Sequence, residues 1–249
     1  MDTLTAVTGI TKMPPKVRAF LSKPYRNTGV VFGTWKVIRV TIFRESVAAA
    51  IQVGVKLLTG GSLKGNLLHV FMIVTLKNPG VGNGIASEVN VLFEKNECVG
   101  VELLDHTETM RYFNNKKKTR MQITTDGRRT LSDAFNNVER FCRENHLSLW
   151  KYDAGKANCQ KFVWWFLKAN NYYFPHSKLA VKQFVIQANV ESGVGSGRAS
   201  KLMGGVTSGA AAVKHLLGFA DGELLKTSRK RKREASPYFP FIDGIEWVD

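Results

Sequence analysis

Alternating apolar and polar positions in the first half of the chain predict β-strands. Residues 30–43 are rich in β-branched and aromatic side chains, which suits a strand. The apolar run at 68–76 is followed by a turn-like composition at 78–84 and by further strand-like stretches at 88–95 and 97–104. Three short strands in succession are typical of an antiparallel meander.

The turn at 78–84 also suggests a register for the hairpin around it. If the turn is centred between Val81 and Gly82, equal counting outwards along both strands places His69 opposite Glu94. An extra residue bulged into the loop would change this pairing.

Three segments carry the spacing of an amphipathic or buried helix. Residues 45–58 place apolar side chains on one face and end at a pair of glycines. Residues 131–146 suit a second helix, with Thr130 or Ser132 as its N-cap. Residues 159–169 suit a short apolar helix with Asn158 at the cap position.

The two ends of the chain differ in composition from its centre. We expect residues 1–29 to form a basic N-terminal arm that is irregular over 12–28, where Pro14, Pro15 and Pro24 oppose regular structure. Residues 186–225 are rich in Gly, Ser and Ala and hold one weak amphipathic helix pattern, at 198–219. Residues 226–249 form a flexible basic run followed by an aromatic and acidic end. The remaining segment, 30–185, is the predicted α+β core, and it includes an unassigned basic insert at 111–129.

Charge separates these segments further. The chain has 249 residues and a formal net charge of +16. Residues 1–44, 111–129 and 226–233 carry +7, +6 and +6, so the rest of the chain carries −3. Basic patches of this kind attract phosphate on nucleic acid or on anionic lipid. The pattern predicts a near-neutral body with three basic segments.

The cellular setting follows from what the sequence lacks. No apolar run approaches the roughly 20 residues of a membrane-spanning helix. Three cysteines in a chain of this length do not make a disulfide framework. We therefore expect an intracellular, reducing location, in the nucleus, the cytoplasm or a virion.

The strongest chemical signal is the sequence Asn158-Cys159-Gln160-Lys161-Phe162. A cysteine in the first turn of a helix lies near unpaired N–H groups and the positive end of the helix dipole. Both lower the pKa of a thiol, and the same N–H groups can stabilise an oxyanion. A neighbouring imidazole would complete a nucleophilic site, and His69 is the natural candidate, with Glu94 to orient the ring.

A His on a strand, a polar residue on the next strand and Asn-Cys at the start of an apolar helix resemble the circularly permuted papain-like cysteine hydrolases. These include NlpC-like and lecithin:retinol acyltransferase-like proteins and the H-box/NC proteins of some viruses. His69-Val70-Phe71 would be the H-box, and residues 158–163 the NC box. The resemblance covers about residues 66–170. It implies a permuted papain-like core in which a β-meander precedes the nucleophile helix, with Cys159 as nucleophile, His69 as general base and Glu94 as the orienting residue.

Several alternatives stay open. His106 follows the meander and would replace Glu94 as the third residue if the register shifts. Cys98 and Cys142 are expected to be structural, and the spacing of cysteines and histidines favours no zinc site. No cofactor is predicted. Thiol peptidases, amidases and acyltransferases all share this type of site, so a protein, peptide or lipid acyl substrate is expected.

The alternative function is a non-catalytic basic protein, such as a viral structural or accessory protein, that binds nucleic acid or an anionic membrane. The candidate side chains for polyanion binding or nuclear import lie in two clusters: Lys116, Lys117 and Lys118, and then Lys226, Arg229, Lys230, Arg231, Lys232 and Arg233.

Overall fold

The computed structural model describes residues 13–26, 29–46, 68–80, 87–95, 98–116, 118–150, 157–186 and 245–248. Its strands are β1 Lys36–Ser46, β2 Leu68–Lys77, β3 Glu88–Lys95, β4 Val99–Leu104, β5 Thr119–Thr124 and β6 Ile245–Val248. Its helices are α1 Pro15–Ser22, α2 His106–Phe113, α3 Leu131–Glu144, α4 Cys159–Asn170 and α5 Lys178–Val185, with 3₁₀ turns at Phe32–Thr34 and Pro175–Ser177.

The strands form one antiparallel sheet in the order β4-β3-β2-β1-β5-β6. The predicted meander is therefore confirmed as β2-β3-β4. Helices and an antiparallel sheet together make the protein α+β, as the sequence predicts.

Both faces of the sheet are covered, and this follows from the alternation of side chains along a strand. Val70, Met72 and Val74 of β2 belong to the main core, which also contains the buried side chains of α1, α3 and α4. Phe71 and Ile73 point to the other face and form a smaller cluster with Phe43, Leu92 and Leu104, against which Tyr112 and Phe113 of α2 pack. A strand buried on both faces explains the nearly continuous apolar run at 68–76.

The prediction of an irregular arm over residues 12–28 is wrong, because Pro15–Ser22 is a helix. Proline is tolerated in the first turn of a helix, where its missing N–H has no intrahelical partner to lose. Val17 and Phe20 are buried, and the Phe20 ring stacks on Phe32 at 4.7 Å between centroids. Apolar burial therefore ties this basic segment to the core.

Four other boundaries differ from the sequence-based predictions. The strand predicted at 30–43 begins later, at Lys36, after a 3₁₀ turn, and it extends to Ser46. Residues 45 and 46 therefore belong to a strand, and the rest of the helix predicted at 45–58 lies outside the described residues. The basic insert at 111–129 contains the end of α2 and all of β5. The segment 245–248, predicted as part of a tail, pairs with β5 as an edge strand.

The helices predicted at 131–146 and 159–169 are confirmed within two residues of their ends. Thr130 is the N-cap of α3, in a capping box with Asp133. The amphipathic pattern at 198–219 and the basic run at 226–233 lie outside the described residues. Within the described part of the chain, no helix has the length and apolar character needed to cross a membrane.

Candidate active site

The site forms where helix α4 begins at the edge of β2. In the described residues, β3 pairs with β2 only from Met72 onwards, so Leu68 and Val70 keep an edge to which α4 can bind. The Gln160 side chain donates a hydrogen bond to the Leu68 carbonyl at 3.2 Å. The N–H of Val70 hydrogen-bonds the sulfur of Cys159. Alternate residues of a strand direct their backbone groups to the same edge, so both contacts hold the start of α4 there.

Local sequence accounts for where α4 begins. The Asn158 side chain accepts a hydrogen bond from the Lys161 N–H at 2.9 Å and caps the helix. Asn158 has an extended backbone, so Cys159 is the first helical residue. The N–H groups of the first turn then lie close to its sulfur, and that of Gln160 hydrogen-bonds it.

His69 lies between Cys159 and Glu94. Its Nε2 is 2.7 Å from Oε1 of Glu94, and its ring stacks on Phe71 with 5.8 Å between centroids. The ring also hydrogen-bonds the Cys159 side chain. Because Nε2 is held by the carboxylate, Nδ1 is the ring nitrogen that faces the sulfur. The three predicted side chains are therefore brought together in the order Cys159, His69, Glu94.

The register that led to this expectation is wrong by two residues. Met72 pairs with Phe93, so Phe71, and not His69, is the residue across from Glu94. The carboxylate reaches His69 diagonally. A shift of two residues keeps every side chain on the same face of the sheet, and for this reason the contact survives the error.

The electrostatics of the pair favour a thiolate and an imidazolium. Burial by itself would lower the pKa of His69, but the charge and hydrogen bond of Cys159 and those of Glu94 outweigh it and raise the pKa to about 10. Burial by itself would likewise raise the pKa of the Cys159 thiol. The His69 charge and hydrogen bond, with the N–H groups of Val70 and Gln160, outweigh it and lower the pKa. The two shifts have opposite directions and one cause, which is mutual stabilisation of the charged forms.

The other two cysteines lack this environment. Cys142 is buried on α3, where desolvation is the main reason that its pKa is raised to about 12. Cys98 is exposed, just before β4. Of the three thiols, Cys159 alone has an imidazole partner among the described residues.

His106 lies at the start of α2, directly after the capping residue Asp105, and it is exposed. The side chain that hydrogen-bonds the far nitrogen of His69 is Glu94. Within the described part of the chain, no three His, Cys, Asp or Glu side chains group as a metal site requires.

Lys118 is predicted to bind polyanions together with Lys116 and Lys117, but its side chain is engaged within the protein. Its side chain is only 6% exposed, and its Nζ lies 3.1 Å from Oε2 of Glu45. Lys116 is exposed, whereas Lys117 and the six basic residues at 226–233 lie outside the described residues. Sequence reasoning missed Lys118 as a buried residue because the strand β5 that positions it is short and polar.

Comparisons with protein-family models, with curated proteins and with solved structures find no match to this chain.

Proposed function

We propose that this protein is a cysteine-dependent hydrolase or acyltransferase that acts on an amide or an ester through a thioester intermediate. The observation that carries the proposal is the hydrogen-bonded series Cys159, His69 and Glu94, with a thiol pKa that is lowered and an imidazole pKa that is raised. An activated nucleophile needs a base beside it and a third group that orients the base.

The first half of the reaction forms the acyl-enzyme. The Cys159 thiolate attacks the substrate carbonyl carbon, and a C–S bond forms as the carbonyl oxygen takes up negative charge. The N–H groups at the start of α4 are donors for that charge. The C–N or C–O bond then breaks, and the His69 imidazolium gives its proton to the leaving nitrogen or oxygen.

The second half releases the acyl group. Neutral His69 takes a proton from water, or from the hydroxyl or amine of an acceptor, as that group attacks the thioester. The C–S bond breaks, which restores the thiolate and the imidazolium. Glu94 holds the ring throughout and stabilises its charged form. Water as acceptor makes the protein a hydrolase, and a hydroxyl or amine acceptor makes it an acyltransferase.

The permuted papain-like core is part of this proposal. The His-bearing strand, the next strand with its carboxylate and the Cys-bearing helix follow one another in the order that the resemblance implies.

An electrophilic acyl probe tests the function directly. We expect a thiol-reactive electrophile such as an acyloxymethyl ketone to label the full chain at one site. Labelling should disappear in Cys159→Ala and persist in Cys98→Ala and Cys142→Ala, which remove the other two thiols. Labelling that persists in Cys159→Ala would exclude Cys159 as the nucleophile.

The charge distribution supports a second activity of the same chain, which is binding to polyanions through the basic run at 226–233. Six cations in eight residues attract nucleic acid or an anionic lipid surface, and either could place the enzyme near its substrate. Binding to a DNA duplex should weaken steeply between low and physiological salt and should be lost when residues 226–233 are deleted. Salt-insensitive binding, or none, would exclude it.

A further inference from the structure

An ion pair with a buried ammonium and a half-buried carboxylate lies directly beside His69 on the same face of the sheet. Glu45 of β1 is the cross-strand partner of His69 in β2, and such partners point to the same face with Cβ atoms about 5 Å apart. Lys118 precedes β5, whose register with β1 pairs Arg44 with Thr119. The next position in this register places Lys118 across from Glu45. Lys118, Glu45 and His69 therefore form one row, from the residue before β5 across β1 to β2.

The Lys118 ammonium is held in a site made of a carboxylate and two rings. It lies 3.1 Å from Glu45, 4.6 Å from the centre of the Tyr112 ring and 5.0 Å from the centre of the Phe71 ring. Phe71 is also the ring on which His69 stacks. The cation is therefore desolvated and paired, a state in which both the salt bridge and the cation–π contacts are stronger than at an exposed site.

Two carboxylates consequently flank His69, one on each of the neighbouring strands. Glu94 approaches from β3 and bonds Nε2, whereas Glu45 approaches from β1 and bonds Lys118. An imidazolium is attracted to either carboxylate, but only the Glu94 contact on Nε2 leaves Nδ1 for Cys159.

We propose that Lys118 is a positioning residue: by binding the Glu45 carboxylate, it prevents Glu45 from competing for His69 and leaves the ring to Glu94. This inference rests on the proposed function, since it assigns a second layer of support to the same site. Lys118 does not touch the reacting atoms, and it acts through Glu45 and through the Phe71 ring.

Other charges on this part of the sheet set the background. The titratable or charged side chains around His69 and Tyr112 are Cys159 of α4, Glu45 of β1, Glu94 of β3, Glu102 of β4, Glu108 and Tyr112 of α2, Lys118, and Arg120 of β5. Four of these eight side chains are carboxylates and only two are cations, so the loss of one buried cation strongly changes the net charge around His69.

The test uses Lys118→Met, which keeps the apolar stem over the rings and removes the charge. Alkylation of Cys159 by iodoacetamide, measured on the acid limb of its pH profile, should slow by about tenfold, the change that one unit in the thiol pKa produces there. The cause is the loss of the Lys118 charge beside the Glu45 carboxylate, which then draws the imidazolium and disfavours the thiolate. Lys77→Met, a charge loss at an exposed position far along β2, is the matched control and should leave the rate unchanged.

The decisive variant is Lys118→Met combined with Glu45→Gln. If Lys118 acts by binding Glu45, removal of the competing carboxylate restores the alkylation rate to within about threefold of the original, less than half a unit of thiol pKa. Glu45→Gln alone does not slow alkylation. If Lys118 matters only for packing, the double variant stays as slow as Lys118→Met, and this result would overturn the proposal.

A spectroscopic measurement separates this inference from the proposed function. The ¹⁵N shifts of the His69 ring report which nitrogen is hydrogen-bonded, and they require no substrate. They should move in Lys118→Met and return in the double variant. If His69→Ala alkylates as fast as the original protein, the proposed function fails. If the original rate depends on His69 but the double variant is not restored, the role of Lys118 alone fails.

Discussion

Glu94 hydrogen-bonds His69 at 2.7 Å although the two residues are not opposite each other in the sheet. The Met72–Phe93 register, continued by one residue, places Phe71 across from Glu94, and the Phe71 ring stacks on His69. A diagonal neighbour on an adjacent strand is still within reach of a long side chain. Glutamate is long enough to cross this gap, and we expect aspartate, which is one methylene shorter, to be too short.

The diagonal contact makes Glu94 a sensitive position. Glu94→Gln keeps the shape and one hydrogen bond but removes the charge that helps to raise the pKa of His69. On the acid limb of the pH profile, we expect the rate of acyl-probe labelling to fall about tenfold, because a weaker imidazolium raises the thiol pKa and one unit of pKa gives this factor there. The measurement is the second-order labelling rate, with Glu102→Gln, an exposed carboxylate on β4, as control. An unchanged rate in Glu94→Gln would remove Glu94 from the site.

The pH dependence of turnover should follow from the directions of the two pKa shifts. The thiolate is lost as pH falls through the lowered pKa of Cys159, and the imidazolium proton is lost as pH rises through about 10. Turnover needs both groups charged, so kcat/KM should form a plateau between these two limits.

Alkylation separates the two limits, because it needs only the thiolate. Its rate should fall on the acid side and show no decline on the alkaline side. In His69→Ala the acid limb should move up towards the ordinary thiol range, at about 8.5. An acid limb that does not move would show that His69 is not the group that lowers the thiol pKa.

Asn158 has a role in stability that can be measured apart from chemistry. Its side chain caps α4 through the Lys161 N–H. Asn158→Ala should lower the free energy of unfolding by about 1 kcal/mol, the usual effect of losing an N-cap. Asn158→Ser keeps a side-chain acceptor for the cap, so it should retain most of the stability that Asn158→Ala loses. Urea unfolding followed by circular dichroism gives both values, and equal stabilities for the two variants would contradict the capping role.

Asn170 connects α4 to α3. It is buried, and its Nδ2 donates to the carbonyls of Ala134 and Phe166 at 3.1 and 2.9 Å, while Oδ1 accepts from Asn137. Asn170→Leu leaves buried polar partners unsatisfied and should cost about 1–3 kcal/mol in the free energy of unfolding. Asn171→Gly is a useful comparison, because Asn171 has φ 53° and ends the helix in the left-handed region that glycine adopts readily. The Asn171→Gly variant should unfold at the same urea concentration as the original protein or at a higher one.

Local sequence was sufficient for the elements that carry the site. The apolar run of β2, the alternation in β3 and the Asn-capped apolar helix at 159–169 each have a strong pattern, and each lies close to its predicted bounds. Helix α1 escapes prediction because Pro14, Pro15 and Pro24 oppose regular structure in general, whereas Pro14 is the N-cap and Pro15 the first residue of the helix, where proline is tolerated. Strand β6 was missed because four residues near the chain end carry too short a pattern to indicate pairing.

Spacing and capping within a few residues are enough to predict a histidine at the start of β2, a carboxylate on β3 and a cysteine in the first turn of α4. Three features depend on the folded protein: β3 pairs with β2 from Met72 onwards, the edge beside Leu68 and Val70 receives α4, and the Lys118 side chain is buried against Glu45. The reason is physical: register and docking depend on contacts between residues far apart in the chain, and a period of two specifies the face of a side chain without specifying its partner.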